Sequence, residues 1–198
     1  MRTLRRLTGR AAVLERADVD TDQIVPAQFL KRIERSGYGP FLFYDWMKDP
    51  DFPLHREEYA GASILITGAN FGCGSSREHA VWALDDYGFR VVLAPSFGDI
   101  FRANATKGGL ATIELGEDEL ARITAAVEER NELTVDLESL AVILPSGEQI
   151  PFELDEFARH RLIHGLDDIA HTLEREDRIR AYEERAEARF DTRALPAA

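Results

Sequence analysis

SILITGANFGCGSSREHAVWALDDYGFRVVLA, residues 63–94, is the stretch on which the fold turns. SILIT (63–67) and RVVLA (90–94) are short apolar runs of strand length, too short for buried helices. GANFGCG (68–74) between them carries three glycines in seven residues. The spacing then predicts a helix over 75–88 with both ends marked. Ser75 and Glu78 form an S-x-x-E capping box, and Gly88 supplies a left-handed stop. Strand, glycine-rich loop, helix and strand within this length make a βαβ unit, with parallel strands and a right-handed crossover.

The same pattern extends on both sides. AAVLER (11–16) reads as a strand, followed by the turn-rich DVDTDQIVP (18–26). AQFLKRIERSG (27–37) has Phe29, Leu30 and Ile33 at helical spacing with Gly37 as a stop. Residues 37–62, rich in Gly, Pro and aromatic residues, read as a long, packed surface loop of the kind that usually carries function. Downstream, 96–109 is helical and LATIEL (110–115) a strand. Residues 117–130 form an amphipathic helix with Leu120, Ile123, Ala126 and Val127 on one stripe. LTVDL (133–137), AVILP (141–145) and EQIPFEL (148–154) are short strands with a turn at Ser146-Gly147. Asp155 to Phe190 is helical, with Ile179, Tyr182, Ala186 and Phe190 on one face. The expectation is one α/β domain with a mixed sheet, a core over about residues 1–155, and a helical C-terminal arm over about 155–190.

Composition narrows the function. Of 198 residues, 44% are hydrophobic and 30% charged, and Gly plus Pro number 22, so neither a disordered nor a collagen-like chain fits. One cysteine excludes a disulfide framework, a cysteine-rich zinc site and a self-contained iron–sulfur cluster, and it is the usage of a reducing compartment. No apolar run approaches the roughly 20 residues that span a bilayer. The N-terminus lacks the continuous apolar region of a secretory signal, so the expected location is the cytoplasm. The net charge of −12 is unevenly spread. Residues 1–110 hold 14 basic and 14 acidic residues, whereas 111–198 hold 10 and 22. An acidic surface repels nucleic-acid phosphates, so no nucleic-acid partner is expected, and an anionic ligand must be held by local groups in the neutral half.

The glycine-rich loop and the helix after it suit that role. The first amides of a helix lack partners within it and carry roughly half a positive charge. Ser75 and Ser76 sit at that end with Arg77 beside them. Hydroxyls, free amides and a guanidinium describe a pocket for a carboxylate or a phosphate. Other anion loops fail in detail: no Gly-Lys-Ser/Thr follows Gly72, the third glycine of a dinucleotide fingerprint is missing, and there is no G-x-S-x-G elbow. Cys73, in a tight loop, reads as packing before nucleophile.

NFGCGSSREHAVWAL (70–84), DTDQIVPAQFLKRIERSGYG (20–39), APSFGDIF (94–101) and HGLDDIAHTLEREDRIRAYEE (164–184) together resemble the small subunits of bacterial 3-isopropylmalate dehydratase, in the aconitase superfamily. The resemblance covers nearly the whole chain. It implies the swivelling β/β/α fold and the reversible conversion of 2-isopropylmalate to 3-isopropylmalate through isopropylmaleate, in leucine biosynthesis. It also implies a heterodimer in which the cluster-bearing large subunit is the partner. No cofactor is expected in this chain, the 4Fe–4S cluster lying on that partner. By motif, Ser75 matches the serine whose alkoxide is the general base, while Ser76 and Arg77 match contacts to a substrate carboxylate. Thr21 and Asp22 match a further active-site pair, although an aspartate in such a turn can instead bond its own backbone. Phe29, Leu30, Lys31 and Ile33 match the substrate-selecting segment, with an ordinary buried stripe as the competing reading. An apolar residue in place of an arginine there would favour an isopropyl group over an extra carboxylate.

A homoaconitase small subunit is the alternative within this class, and an RNA-binding module the alternative outside it. His55, His160, His164 and His171 show no ligand spacing with a carboxylate along the chain, and no metal site is assigned. The acidic C-terminal helices read as a solvated face or as part of a subunit interface.

Overall fold

The computed structural model describes residues 1–32, 34–75 and 77–185. Two four-stranded sheets form its frame. β2 (Ala11–Leu14), β3 (Ile64–Thr67), β4 (Val91–Ala94) and β5 (Ala111–Glu114) form a parallel sheet in sequential order. β1 (Arg6–Gly9), β6 (Leu133–Asp136), β7 (Ala141–Ile143) and β8 (Gln149–Pro151) form an antiparallel one in the order β1-β6-β7-β8.

The parallel strands are apolar on both faces because both faces are covered. Register aligns Ala11, Ile64, Val91 and Ala111 in one row across the sheet. That row packs with Leu133, Val135, Val142 and Ile150 of the antiparallel sheet and with Ile123 and Val127 of α4 (Glu117–Glu129). The next row, Ala12, Leu65 and Val92, faces the opposite way. It packs on Ala80, Val81 and Leu84 of α2 (Glu78–Tyr87) and Phe101 and Ala105 of α3 (Asp99–Gly108). The result is antiparallel sheet, parallel sheet and helices in layers, a β/β/α arrangement. β8 alternates exposed and buried residues, as a strand with one wet face should.

The βαβ unit at 63–94 is present with its parallel register. Gly88 ends α2 at φ +125°, its N–H donating to Leu84 and Asp85 carbonyls. Three expectations are corrected. The sheet is not mixed: parallel and antiparallel pairings separate into two sheets, and the chain switches between them at Arg10, after a first strand, β1, that shows no strand signature in the sequence. The described residues of 27–37 form not a helix but a single 3₁₀ turn, Ala27–Phe29, with no helix over 30–32 or 34–37. Aromatic contacts override helical spacing there: Phe29 stacks on Phe41 with centroids 4.1 Å apart, and the Arg32 guanidinium lies 5.2 Å from the same ring. α2 begins at Glu78 with Arg77 as its N-cap, so the Ser75–Glu78 capping box is not formed. Residues 37–62 are the long, packed surface loop expected, without α-helix or strand. Four short 3₁₀ turns bury Tyr38, Leu42, Phe43, Phe52, Leu54 and Tyr59 against the α2 side of the parallel sheet.

The arm contains α5 (Glu156–His164), α6 (Asp168–Leu173) and α7 (Glu176–Glu183). Leu162 and Ile163 anchor it beneath the sheets. Ile179 and Tyr182 are exposed, while Ala186 and Phe190, expected on the same face, lie outside the described residues.

Candidate active site

The carboxyl ends of β2, β3 and β4 open onto three neighbouring loops, the usual place for a site in a parallel sheet. The glycine-rich loop runs between the other two and is bonded to both. On one side the Gly72 N–H donates to the Val19 carbonyl (2.7 Å) and the Thr21 N–H to the Cys73 carbonyl (3.0 Å). On the other, the Phe71 N–H donates to Ser96 O (3.1 Å) and the Gly98 N–H to Phe71 O (2.9 Å). Asn70, in the left-handed region at φ +57°, donates through its side chain to Asp18 Oδ1 (2.8 Å) and through its backbone to Ser96 Oγ (2.9 Å).

Glycine at 72 is required twice over. Its φ is +74°, and a Cβ there would overlap the Phe101 ring in the core. Gly98 crosses so close that its own Cβ would sit 2.6 Å from Gly72 O. The loop is therefore seated against two backbones and an aromatic ring.

This seating brings four predicted residues together. α1 (Thr21–Ile24) is a short helix capped by Asp20, whose carboxylate accepts from Gln23 N (2.8 Å) while Gln23 Oε1 accepts from Asp20 N (2.9 Å). Asp20 thus takes the turn-forming role, and Asp22 is free to face the loop. Both oxygens of Asp22 accept from Arg77, Oδ2 from Nη2 at 2.8 Å and Oδ1 from Nη1. Arg77 is largely buried and Asp22 half-exposed. Thr21, itself buried, donates its hydroxyl to Ser75 O at 2.9 Å. Ser75 is exposed, three residues ahead of the first residue of α2, whose end has no side-chain cap. Ser76 and Ile33 lie outside the described residues. Phe29 and Leu30 are half-buried against the aromatic cluster, and Lys31 is exposed.

The Aconitase C-terminal domain family matches residues 1–118, and the LeuD_N family residues 118–156. A 3-isopropylmalate dehydratase small subunit from Rubrobacter xylanophilus is 53% identical over 98% of this chain and 100% of that protein. The Bacillus subtilis protein of the same name is 51% identical over 92% of this chain and 96% of its own. The chain belongs to the 3-isopropylmalate dehydratase small-subunit family. The crystal structure of a 3-isopropylmalate dehydratase from Methanocaldococcus jannaschii, 26% identical, superposes with a TM-score of 0.66 over 90% of this chain and 99% of that one. A small subunit of this family implies a large one, and the family is one of hydro-lyases. No helix among the described residues is long and apolar enough to cross a membrane.

In this family member, the electrostatics around the loop separate its residues by role. Burial pushes the Cys73 thiol up, with the Asp20 and Asp18 carboxylates adding to the effect, which keeps it protonated and a poor nucleophile. Burial also lowers the His79 pKa, and Arg77 pushes in the same direction against Glu78. His79 lies edge-on to Tyr38 at 5.2 Å and 4.7 Å from the Trp82 ring. Sequence reasoning missed this ring cluster. Tyr38, whose N–H donates to Asp86 (2.8 Å), links Phe41 and Phe29 to the first turn of α2 through packed rings. The density of aromatic residues over 38–46 was the available signal.

Proposed function

We propose that this chain completes the active site in which 2-isopropylmalate and 3-isopropylmalate interconvert through isopropylmaleate, a step of leucine biosynthesis in the cytoplasm. The whole chain acts as one domain, with the core over about residues 1–155 and the arm beyond it, and it pairs with a large subunit as a heterodimer. The observation that carries this reading is the constellation Thr21–Asp22–Ser75–Arg77 at the glycine-rich loop of a chain from this family.

Ser75 is the base. Its hydroxyl, once ionised, takes the proton from the carbon beside a substrate carboxylate; hydroxide leaves the neighbouring carbon, giving the alkene, and water re-adds with the two positions exchanged. A serine hydroxyl is a very weak acid, so the alkoxide needs fixed dipoles in a dry site. The uncapped first turn of α2 and the Arg77 guanidinium supply them. Arg77 has five N–H donors, and the pair given to Asp22 leaves others for a substrate carboxylate. Asp22 fixes the plane of the guanidinium, Thr21 fixes the backbone of Ser75, and Ser76 is a further carboxylate contact. Phe29, Leu30, Lys31 and Ile33 select the isopropyl group. Because Ser75 is exposed, the large subunit covers it and excludes water.

A 4Fe–4S cluster supplies Lewis-acid binding of the substrate hydroxyl and carboxylate. This chain does not hold it, since Cys73 is its single cysteine and its thiol is pushed up rather than ionised. The cluster belongs to the large subunit. The test is anaerobic co-purification with that subunit, followed by isopropylmaleate absorbance. Ser75→Ala should lower turnover by roughly 10²–10⁴-fold with unchanged circular dichroism. Near-wild-type turnover in that variant would remove the base.

A further inference from the structure

The histidines that show no ligand spacing along the chain are gathered by the turn between α5 and α6. His160 on α5, His171 on α6 and Glu174 just beyond it each offer one ligand atom, and these atoms lie within 4.8 Å of one another. His160 Nε2 is 3.2 Å from both Glu174 oxygens, and His171 Nδ1 is 3.1 Å from Glu174 Oε2. We propose that His160, His171 and Glu174 form a binding site for a divalent transition-metal ion of the zinc type, which staples α6 and its C-terminal end onto α5.

Two imidazoles and a carboxylate are a borderline-soft donor set that suits zinc better than calcium or magnesium. Ligand atoms at about 2.0–2.1 Å from a tetrahedral ion are separated by about 3.3 Å. Both histidine–glutamate separations already match that edge. The histidine–histidine edge, at no more than 4.8 Å, closes by ring rotation. Binding therefore exchanges the contacts to Glu174 for three metal bonds, each neutral ring carrying its proton on the nitrogen that does not face the ion, without moving a helix.

The backbones that carry the ligands are held independently of any ion. Arg161, buried beneath the turn, donates to Leu166 O (3.1 Å) and to Asp168 Oδ1 (2.6 Å), tying α5 to the first turn of α6. The rings are framed as well: His164 donates to His160 O (2.9 Å) with its ring 4.3 Å from that of His160, and Phe157 meets His171 edge-on at 4.9 Å. The side chains of His160 and Glu174 are 42% and 38% exposed, so an ion has a path in and a coordination position left for water. The competing description is a hydrogen-bonded cluster that binds nothing.

The full-length chain, stripped with a chelator, decides between them. Cobalt(II) titration should develop the intense visible bands of a tetrahedral nitrogen–oxygen site at one equivalent. Zinc should abolish those bands and raise the thermal midpoint. Replacing even a residue that only orients a ligand costs about 10–100-fold in metal affinity, so Glu174→Gln and His171→Ala should each weaken zinc at least tenfold in competition with a chromophoric chelator. His55→Ala, remote from the arm, should not. A wild-type chain without the cobalt bands overturns the site, as does zinc affinity unchanged in both ligand variants. If a variant failed to fold, the wild-type cobalt titration alone would still decide whether the site exists.

Discussion

The glycine-rich loop and the C-terminal arm are built on opposite principles. The loop is positioned by exclusion: backbone crosses backbone at Gly98 and Gly72, an aromatic ring occupies the space a side chain would need, and backbone hydrogen bonds tie residues 70–73 to the loops on either side. Beyond α5, which Leu162 and Ile163 anchor in the core, the arm is positioned by polar contacts that bridge its helices, Arg161 to Asp168 and the two histidines to Glu174, while Ile169, Leu173 and Tyr182 face outward. Steric exclusion fixes atoms to fractions of an ångström, as pre-organised catalysis demands. The contacts to Glu174 are partly exposed and contribute little stability each, and Arg161, though buried, meets an exposed Asp168. Substitutions should therefore have sharply different consequences in the two regions.

The largest effect is expected at Gly72. An alanine there combines a left-handed φ with a clash against Phe101, which is itself wedged against Phe71 and Phe97. Overpacking and backbone strain together should cost about 3–5 kcal/mol in urea unfolding of the chain. Gly147→Ala, at a similar φ of +88° with open space around it, should cost only about 1 kcal/mol. Equal costs at the two positions would mean that conformational freedom, not close seating, explains the loop.

Arg77→Lys comes next. The charge survives but the fork that meets both Asp22 oxygens does not. Asp22 is half-exposed, so stability should change little. The reconstituted enzyme should lose about ten- to a hundredfold in kcat/KM, the equivalent of about 1.4–2.8 kcal/mol. Loss of stability without loss of kcat/KM would reassign the pair to folding alone.

The legibility of these regions in the sequence differed for the same physical reasons. The βαβ unit was readable because buried parallel strands must be continuously apolar and glycine must stand where no Cβ fits. The cap of α2 was misread, because S-x-x-E marks a helix start only when the serine stays at the N-cap, and here Thr21 holds the Ser75 backbone two residues upstream of it. The failure at 27–37 has a related origin: the partners of Phe29 and Arg32 lie on a segment far enough along the chain that periodicity does not register them. Asp22 is ambiguous in the sequence because either aspartate of the turn can cap it; Asp20 takes the cap and leaves Asp22 for Arg77. Pairings between separate elements, such as Asp22 with Arg77 or His160 with Glu174, leave no local trace.

A smaller effect should appear in the pH dependence of stability. His79 has a folded pKa below its unfolded value of about 6.5, because burial disfavours the imidazolium. Between those two values the unfolded chain binds a proton that the folded chain does not, so stability rises with pH in that window and falls as the pH drops below about 6.5. His79→Phe keeps a ring against Tyr38 and Trp82 but cannot titrate. Between pH 7 and 5, above the carboxylate range, its stability should fall less steeply than that of the wild type. Identical slopes would place the relevant proton elsewhere.

The smallest effect is expected where the arm faces outward. Tyr182 is 68% exposed and Leu173 56%, so replacing either with serine removes little surface that folding had buried. In the chain alone each change should stay within about 0.5 kcal/mol in urea unfolding. The contrast with Gly72 is then a direct measure of how differently one chain specifies its two regions: a single added methyl group in the loop outweighs the loss of a whole aromatic ring from the arm. A cost above about 1.5 kcal/mol for Tyr182→Ser would show that the ring is covered in solution, and α7 would have to be regarded as held by apolar burial, as α5 is.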